Sequence, residues 1–149
     1  MHLILLVFLG SNCMVVLRIG FCRHQKLLKS VVISLFDPSF KRAGIAAVFR
    51  DCSRNIVGGT NECVMAASAC TTEAIACRLG VFAALDKCFN QVIVELDNIY
   101  LIQRLNGNAR SCWETTIVKR DLLSVVASVS SCSFSYIRRD CNKFVDWVA

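Results

Sequence analysis

The sequence predicts an α/β protein with one mixed sheet flanked by helices, and two patterns along the chain predict it. First, three strand patterns follow one another with short connections, which is typical of an antiparallel meander. Second, helix and strand patterns then alternate, and a connection that contains a helix allows two strands to be parallel. With 149 residues the chain is long enough for one domain with a substantial core.

The first three strand patterns lie at residues 31–36, 44–49 and 56–59. Each is an apolar run bounded by polar or turn-forming residues. Pro38 ends the first run, because proline fixes φ and lacks a donor for the strand ladder. Residues 50–55 form the second turn and include no glycine, so Arg54 or Asn55 has to adopt a positive φ, at a cost of about 1 kcal/mol for Arg54.

The longest helix pattern covers residues 68–88, with Ser68 or Thr71 as its cap. One stripe of this helix is large and apolar, and a second stripe is small, which would let the helix lie close to a sheet. The large stripe contains Ile75, Leu79, Phe82, Leu85 and Phe89, and the small stripe contains Cys77, Gly80 and Ala84. Glu73 lies on the small face near the helix start. Stabilisation by the helix dipole, worth about 0.3–1 kcal/mol, is the explanation that the pattern alone favours, and a carboxylate directed over the sheet edge is the alternative.

Residues 91–107, QVIVELDNIYLIQRLNG, combine a buried strand with a helix start. The run VIV has no polar break, as in a strand covered on both faces. Asp97 follows it directly, Asn98 can cap the next helix, and Gly107 can end that helix. Ligands bind at this edge of open α/β sheets, but a role in capping is the simpler explanation of Asp97 when the stretch is considered alone.

A helix pattern at 113–127, a strand pattern at 132–137 and a last helix that Asp140 can cap complete the alternation. In the last helix Asn142 and Asp146 are four residues apart, on the face opposite the apolar side chains. A solvent-exposed polar face is the ordinary explanation of such a pair.

Residues 1–30 differ in composition from the rest, so we predict an N-terminal segment at 1–30 and a domain at 31–149. The segment begins with an apolar run that ends at Leu17, a marginal length for a bilayer span. It lacks the basic start and the cleavage site of a secretory signal. A weak signal or anchor, and a segment of other origin fused to the domain behind it, stay open as explanations.

Charge and cysteine content narrow the classes of function. The net charge is +6, of which residues 31–149 contribute only +2, because 13 basic residues there face all 11 acids. This balance is compatible with nucleic acid but does not require it. The ten cysteines include no CxxC pair and the histidines are His2 and His24, so the usual zinc spacing is missing. Free thiols favour a reducing compartment, the nucleus or the cytoplasm, over secretion.

Glu73, Asp97 and Asp146 are the three acids that this order of elements could bring to one edge of the sheet. Carboxylate oxygens are the ligands that Mg²⁺ prefers. Two such ions about 3.5–4 Å apart activate a water molecule and stabilise the leaving oxygen in phosphodiester cleavage. Acids contributed by one strand and two helices at one edge of the sheet could supply the ligands of such ions.

At this point the sequence resembles a family, the plant ribonuclease H type 1 domains, which occur as reverse-transcriptase-associated or free-standing proteins. The matching stretches are DPSFKRAGIAAVFRD with IVGG, TEAIACRLGVFAAL, VIVELDNIYLIQRLNG, WETTIVKRDL and FSYIRRDCNKFVDWVA. Their order and spacing fit from about Asp37 to Ala149. The resemblance implies a ribonuclease H-like fold, with a five-stranded mixed sheet in which the first three strands are antiparallel and the last two are parallel.

The resemblance also implies an activity, Mg²⁺-dependent hydrolysis of the RNA strand of an RNA–DNA hybrid with two metal ions. Glu73, Asp97 and Asp146 would be the catalytic and metal-binding residues. Asn142, Arg138 and Arg139 would lie near the nucleic acid backbone. The implied partner is the hybrid itself, with no specific protein partner and no membrane.

One departure from the family pattern is central. The first strand of the family ends in an aspartate that binds metal, and Ile33 occupies that position here. Asp37 comes four residues later and could replace it only through a shift of the strand register. We therefore expect weakened hydrolysis. The alternatives are an inactive nucleic-acid-binding or vestigial module of the same fold, and a small membrane-anchored protein whose basic residues 18–29 face anionic lipid.

Overall fold

The computed structural model describes residues 2–9, 13–20, 27–89, 91–107, 113–129 and 131–138. The elements in chain order are β1 (His2–Leu9), β2 (Cys13–Gly20), β3 (Leu27–Asp37), β4 (Arg42–Arg50), β5 (Ile56–Met65), α1 (Ala69–Asp86), β6 (Gln91–Leu96), α2 (Ile99–Leu105), α3 (Trp113–Val126) and β7 (Ser131–Tyr136). The predicted last helix lies outside the described residues.

Five strands form the central sheet in the order β5-β4-β3-β6-β7. β3, β4 and β5 are antiparallel neighbours, whereas β6 is parallel to β3 and β7 is parallel to β6. The predicted mixed sheet, with three antiparallel strands followed by two parallel ones, is therefore confirmed. The parallel pairs are possible because the connections into β6 and β7 contain helices.

β3, β4 and β5 are each longer than predicted. β5 continues from the predicted end at residue 59 to Met65, with Thr60 paired to Ala47 and Glu62 paired to Ile45. Because β5 is an edge strand, main-chain hydrogen bonds to β4 hold these polar residues in the ladder while solvent is available on the outer side. In the turn before β5, Arg54 has φ of 66°, as predicted for this glycine-free turn.

α1 covers the sheet with its small face, as predicted. Ser68 caps the helix, since its Oγ accepts a hydrogen bond from the Thr71 N–H at 3.2 Å. Cys77, Gly80 and Ala84 are fully or nearly fully buried against the strands. The large stripe is only partly buried, and Phe82 is 45% exposed. The close approach of the small face turns the large side chains towards the flank of the helix, where α3 packs.

The N-terminal strands β1 and β2 pair with each other in a separate two-stranded antiparallel sheet. This hairpin lies close to β5. Among the residues described, no helix is long and apolar enough to cross a bilayer. The separate origin of residues 1–30 and the domain boundary after residue 30 stay predictions.

Candidate functional site

The carboxyl ends of β3, β6 and β7 meet at one edge of the sheet, because these three strands are parallel. β5 runs in the same direction and ends with Met65 beside Arg42, the first residue of β4. α1 therefore begins at this edge as well. This topology brings Glu73 of α1 and Asp97, which follows β6 directly, to the same side of the molecule.

Asn98 connects the two acidic segments. Its amide nitrogen Nδ2 donates a hydrogen bond to Glu73 Oε2 at 2.5 Å. Its oxygen Oδ1 accepts from the Leu101 N–H at 3.1 Å, which makes Asn98 the N-cap of α2, as predicted. Glu73 is thus fixed to the tip of β6, an arrangement that the helix-dipole explanation does not account for.

The register of β3 against β6 locates the residue that stands beside Asp97. Lys29 is paired with Ile93 and Val31 with Glu95. Continuing this register by two residues brings Ile33 to Asp97. By this extension, position 33, where the resemblance expects a carboxylate, is level with Asp97 along the adjacent strand.

Asp37 does not replace the missing carboxylate. It is paired with Arg42 at the end of β3, while Ile33 is paired with Ala46, so the strand is in register throughout. The Asp37 carboxylate accepts a hydrogen bond from the Ser39 N–H at 2.9 Å and is exposed in the turn between β3 and β4. The register shift that could have placed Asp37 in the site has not occurred.

Glu95 is an acid near the site that the sequence reasoning missed. Its Oε1 lies 3.5 Å from Lys29 Nζ, and its side chain is largely shielded from solvent. Side chains alternate between the two faces of a strand, so Glu95 lies on the same face as Asp97, and this alternation could have identified Glu95 from the sequence. Because Lys29 belongs to a strand 66 residues earlier, the pairing itself was not visible locally.

Exposed aromatic and basic side chains lie along the same edge. Arg138 comes two residues after β7 and is exposed, and the Ile137 N–H donates to Leu96 O at 2.7 Å, which extends the β6–β7 pairing to this point. Three aromatic side chains are also exposed here, each next to a strand end or at the start of α2: Phe40, Tyr100 and Tyr136. The sequence reasoning did not single them out. Arg139, Asn142 and Asp146 lie outside the described residues.

The thiol of Cys77 is unreactive by position. Cys77 lies one turn after Glu73 and is fully buried, and burial raises the pKa of its thiol, with a further rise from the Glu73 carboxylate. Burial also raises the pKa of Cys132 on β7. Both residues therefore contribute to the core as small apolar side chains.

The described residues alone do not complete a two-ion centre. Glu73 and Asp97 supply two carboxylates, the neighbouring position 33 supplies no oxygen, and Asn98 directs an N–H towards Glu73. Across the ranges that the structure describes, no three His, Cys, Asp or Glu side chains are grouped so that they could hold a metal ion.

The family of the chain follows from its sequence. A family profile described as reverse transcriptase-like matches residues 36–149. The match covers well over half of the chain, and the chain belongs to this family. No curated protein matches it significantly.

Solved structures show the same fold as this chain. The N-terminal RNase H domain of Rv2228c from Mycobacterium tuberculosis, solved as a fusion with maltose-binding protein, is 12% identical with a TM-score of 0.74, covering 84% of this chain and 91% of that one. RNase H1 from the halophilic archaeon Halobacterium salinarum is 15% identical with a TM-score of 0.75, covering 83% and 94%. LC11-RNase H1, isolated from compost and solved in complex with an RNA/DNA hybrid, is 15% identical with a TM-score of 0.71, covering 81% and 92%. The chain thus has an RNase H-like fold.

Proposed function

We propose that this chain binds RNA–DNA hybrids at the carboxyl edge of β3, β6 and β7, and that it hydrolyses the RNA strand only weakly. The observation that carries the proposal is the register of β3 against β6, which ends with Val31 paired to Glu95 and, continued by two residues, would bring Ile33 level with Asp97. Family membership and fold support the hybrid as the partner, and LC11-RNase H1 was solved with such a hybrid. Within the family, the motifs quoted above favour the plant ribonuclease H type, acting in the nucleus or the cytoplasm.

The binding part of the proposal rests on the side chains of this edge. Arg138, with Lys41 and Arg42 in and after the turn between β3 and β4, supplies positive charge for phosphates. Exposed Tyr136 and Tyr100 offer flat apolar surfaces beside that charge. A hybrid is distinguished from DNA by the shape of its grooves and by the RNA 2′-hydroxyls, so no base-specific contact is required. Arg139 and Asn142 are proposed as further contacts to the backbone.

The weakened hydrolysis follows from the acids that remain. Glu73, Asp97 and Asp146 are proposed as the catalytic and Mg²⁺-binding residues of this chain. An alkyl side chain at position 33 removes one negative charge and two ligand oxygens from the centre that the resemblance implies, and affinity for hard cations depends on both. We therefore propose a chain whose binding is retained and whose chemistry is impaired.

Binding and hydrolysis are tested separately. Fluorescence anisotropy with a labelled hybrid, a DNA duplex and an RNA duplex, all in EDTA, measures binding without chemistry. We expect the hybrid to bind more tightly than the DNA duplex at equal salt, and Arg138→Ala to weaken that binding. Equal affinity for the hybrid and the DNA duplex would contradict the proposed partner.

Hydrolysis is measured on the same hybrid with Mg²⁺. We expect slow cleavage by the unmodified chain, faster cleavage by Ile33→Asp, and none by Asp97→Asn, which is nearly isosteric with the parent. Cleavage that persists in Asp97→Asn would show that the activity does not come from this site.

A second candidate function is a nucleic-acid-binding module without any catalysis. The hydrogen bond between Asn98 and Glu73 favours this second candidate, because the bond occupies one of the two site carboxylates that the structure describes, Glu73 and Asp97. The two candidates differ in Ile33→Asp, which restores cleavage only if the rest of the site is still competent. The membrane-anchored alternative stays a prediction that membrane fractionation of the full chain tests.

A further inference from the structure

Asn98 makes two side-chain hydrogen bonds, one that caps α2 and one to Glu73. The capping bond determines which amide atom faces Glu73. Its Oδ1 accepts from the Leu101 N–H at 3.1 Å and caps α2. An asparagine amide has its oxygen on one side and its nitrogen on the other, so the side that faces Glu73 is the nitrogen, which donates at 2.5 Å. Exchanging the two atoms would remove the cap and place an oxygen against a carboxylate. The orientation of the amide is therefore fixed by the helix that it caps.

The group that Asn98 presents to Glu73 cannot bind a metal ion. An amide N–H is a donor and has no lone pair for a cation, whereas hard divalent cations require oxygen ligands. It does satisfy a carboxylate, because hydrogen bonds to a charged acceptor are shorter and stronger than neutral ones. The Asn98 amide N–H thus interacts favourably with the negative charge of the Glu73 carboxylate, as a bound cation would.

A second position, on the strand next to Asp97, also lowers the number of oxygen ligands at the site. The register of β3 and β6, continued by two residues beyond the pair of Val31 and Glu95, brings position 33 level with Asp97, and the resemblance implies a metal-binding aspartate at that position. The two positions, one on a central strand and one at a helix cap, therefore affect the cation affinity of the site in the same direction. One removes oxygen ligands, and the other adds a hydrogen-bond donor beside an acid that remains.

We propose that the Asn98 amide competes with a divalent cation for the Glu73 carboxylate, so that this site binds such cations only weakly. The inference rests on the assignment of Glu73 and Asp97 to the site of the proposed function. It makes Asn98 the residue that sets the cation affinity of the site, through the position and the hydrogen bonding of Glu73.

The test is thermal unfolding of the full chain with MgCl₂ or MnCl₂, compared with NaCl at equal ionic strength. Asn98→Asp keeps a capping side chain for α2 and replaces the donor with an oxygen ligand beside Glu73. A matched control is Asn55→Asp, because the Asn55 amide also donates to a carboxylate, that of Asp51 at 3.3 Å, in the turn at the other end of the sheet. We expect the cations to change the Tm of the unmodified chain and of Asn55→Asp by less than about 1 °C. We expect a lowered Tm for Asn98→Asp that Mn²⁺ raises by about 3 °C or more.

Asn98→Ser provides a second variant in case Asn98→Asp does not fold. Serine also caps helices but is too short to donate to Glu73 from this position, so only the contact between α2 and α1 is lost. We expect isothermal titration to give a Kd for Mn²⁺ at least about tenfold lower than that of the unmodified chain, a difference of one decade in the binding constant. An unmodified chain that gains as much Tm from Mn²⁺ as Asn98→Asp overturns the inference. So does a Kd that is unchanged in Asn98→Ser, or an equal response of Asn55→Asp.

Failure of this inference and failure of the proposed function are separable. Hybrid binding in EDTA is measured on the same preparations and needs no cation. Loss of selective hybrid binding with the expected cation responses contradicts the proposed function and leaves the role of Asn98 standing. Tight Mn²⁺ binding by the unmodified chain, with selective hybrid binding intact, contradicts only the inference about Asn98.

Discussion

A Cβ atom placed on Gly80 of α1 would lie 3.0 Å from the hydroxyl oxygen of Ser30 on β3. The same atom would lie 3.3 Å from the Cβ of Ala47 on β4. Ser30 is completely buried under the helix. This contact defines how closely α1 approaches the sheet, and it explains why the small stripe of the helix, rather than the large one, faces the strands.

Replacing Ser30 with alanine should stabilise the fold. Its Oγ is buried and has no hydrogen-bond partner among the described residues, and an unsatisfied buried polar group costs about 1–3 kcal/mol. Removing it should raise the free energy of unfolding in urea by about 1 kcal/mol. Ser133→Ala, an exposed serine on β7, is the control and should change stability by less than about 0.5 kcal/mol. A loss of stability in Ser30→Ala would show that the hydroxyl is hydrogen-bonded after all.

The effect of Gly80→Ala should depend on residue 30. Alone, the added methyl group presses on the Ser30 hydroxyl, and overpacking costs about 1–3 kcal/mol, against about 1 kcal/mol gained from helix propensity. In the Ser30→Ala background the nearest atom is gone, so the same substitution should be less unfavourable. A double-mutant cycle measured in urea should give a favourable coupling of at least about 0.5 kcal/mol. If the two substitutions change the free energy of unfolding additively, Ala47 rather than Ser30 limits how closely α1 approaches the sheet.

Gly107, two residues after α2, should be sensitive for a purely backbone reason. Its φ is +81°, and an added Cβ would meet nothing within 4 Å. Gly107→Ala should therefore lower the free energy of unfolding by about 1–2 kcal/mol through left-handed strain alone. Gly107→Asn should lose less, since asparagine tolerates this conformation better. If the two variants lose the same free energy of unfolding, the positive φ of residue 107 is not the cause of the loss.

Local chemistry made several features of the fold predictable. The caps Ser68 and Asn98, the positive φ of Arg54 and the small face of α1 all depend on residues close in sequence, and the structure confirms each of them. The start of β3 was not predictable in the same way. Lys29 and Ser30 interrupt the apolar pattern, and what makes them compatible with a central strand is Glu95 on β6 and Gly80 on α1.

In the candidate site, too, features that depend on local sequence were predicted, and the one that depends on a long-range contact was not. The sequence singled out Glu73 and Asp97, and the topology brings their segments to one edge. It left Asn98 as a helix cap only, because its bond to Glu73 spans 25 residues and depends on how α1 meets β6. The contact between the Asn98 amide nitrogen and Glu73 produces no periodic pattern in the sequence, so it could not be recognised there.

Cys77 should make the stability of the protein fall at alkaline pH. Because its thiol is buried, its pKa in the folded state is raised above the ordinary value, so the folded state keeps a proton that the unfolded state releases. This contribution to stability is fully present below the ordinary thiol pKa of about 8.5, and it is lost progressively as the pH rises from there towards the raised pKa of the folded state. The free energy of unfolding, measured in urea between pH 8 and 10 with a reductant, should therefore fall more steeply for the parent than for Cys77→Ala, by up to about 1.4 kcal/mol per pH unit. Cys88→Ala removes an exposed thiol and is the matched control, whose slope should equal that of the parent. If Cys77→Ala keeps the full slope, other groups are responsible for the loss of stability at alkaline pH.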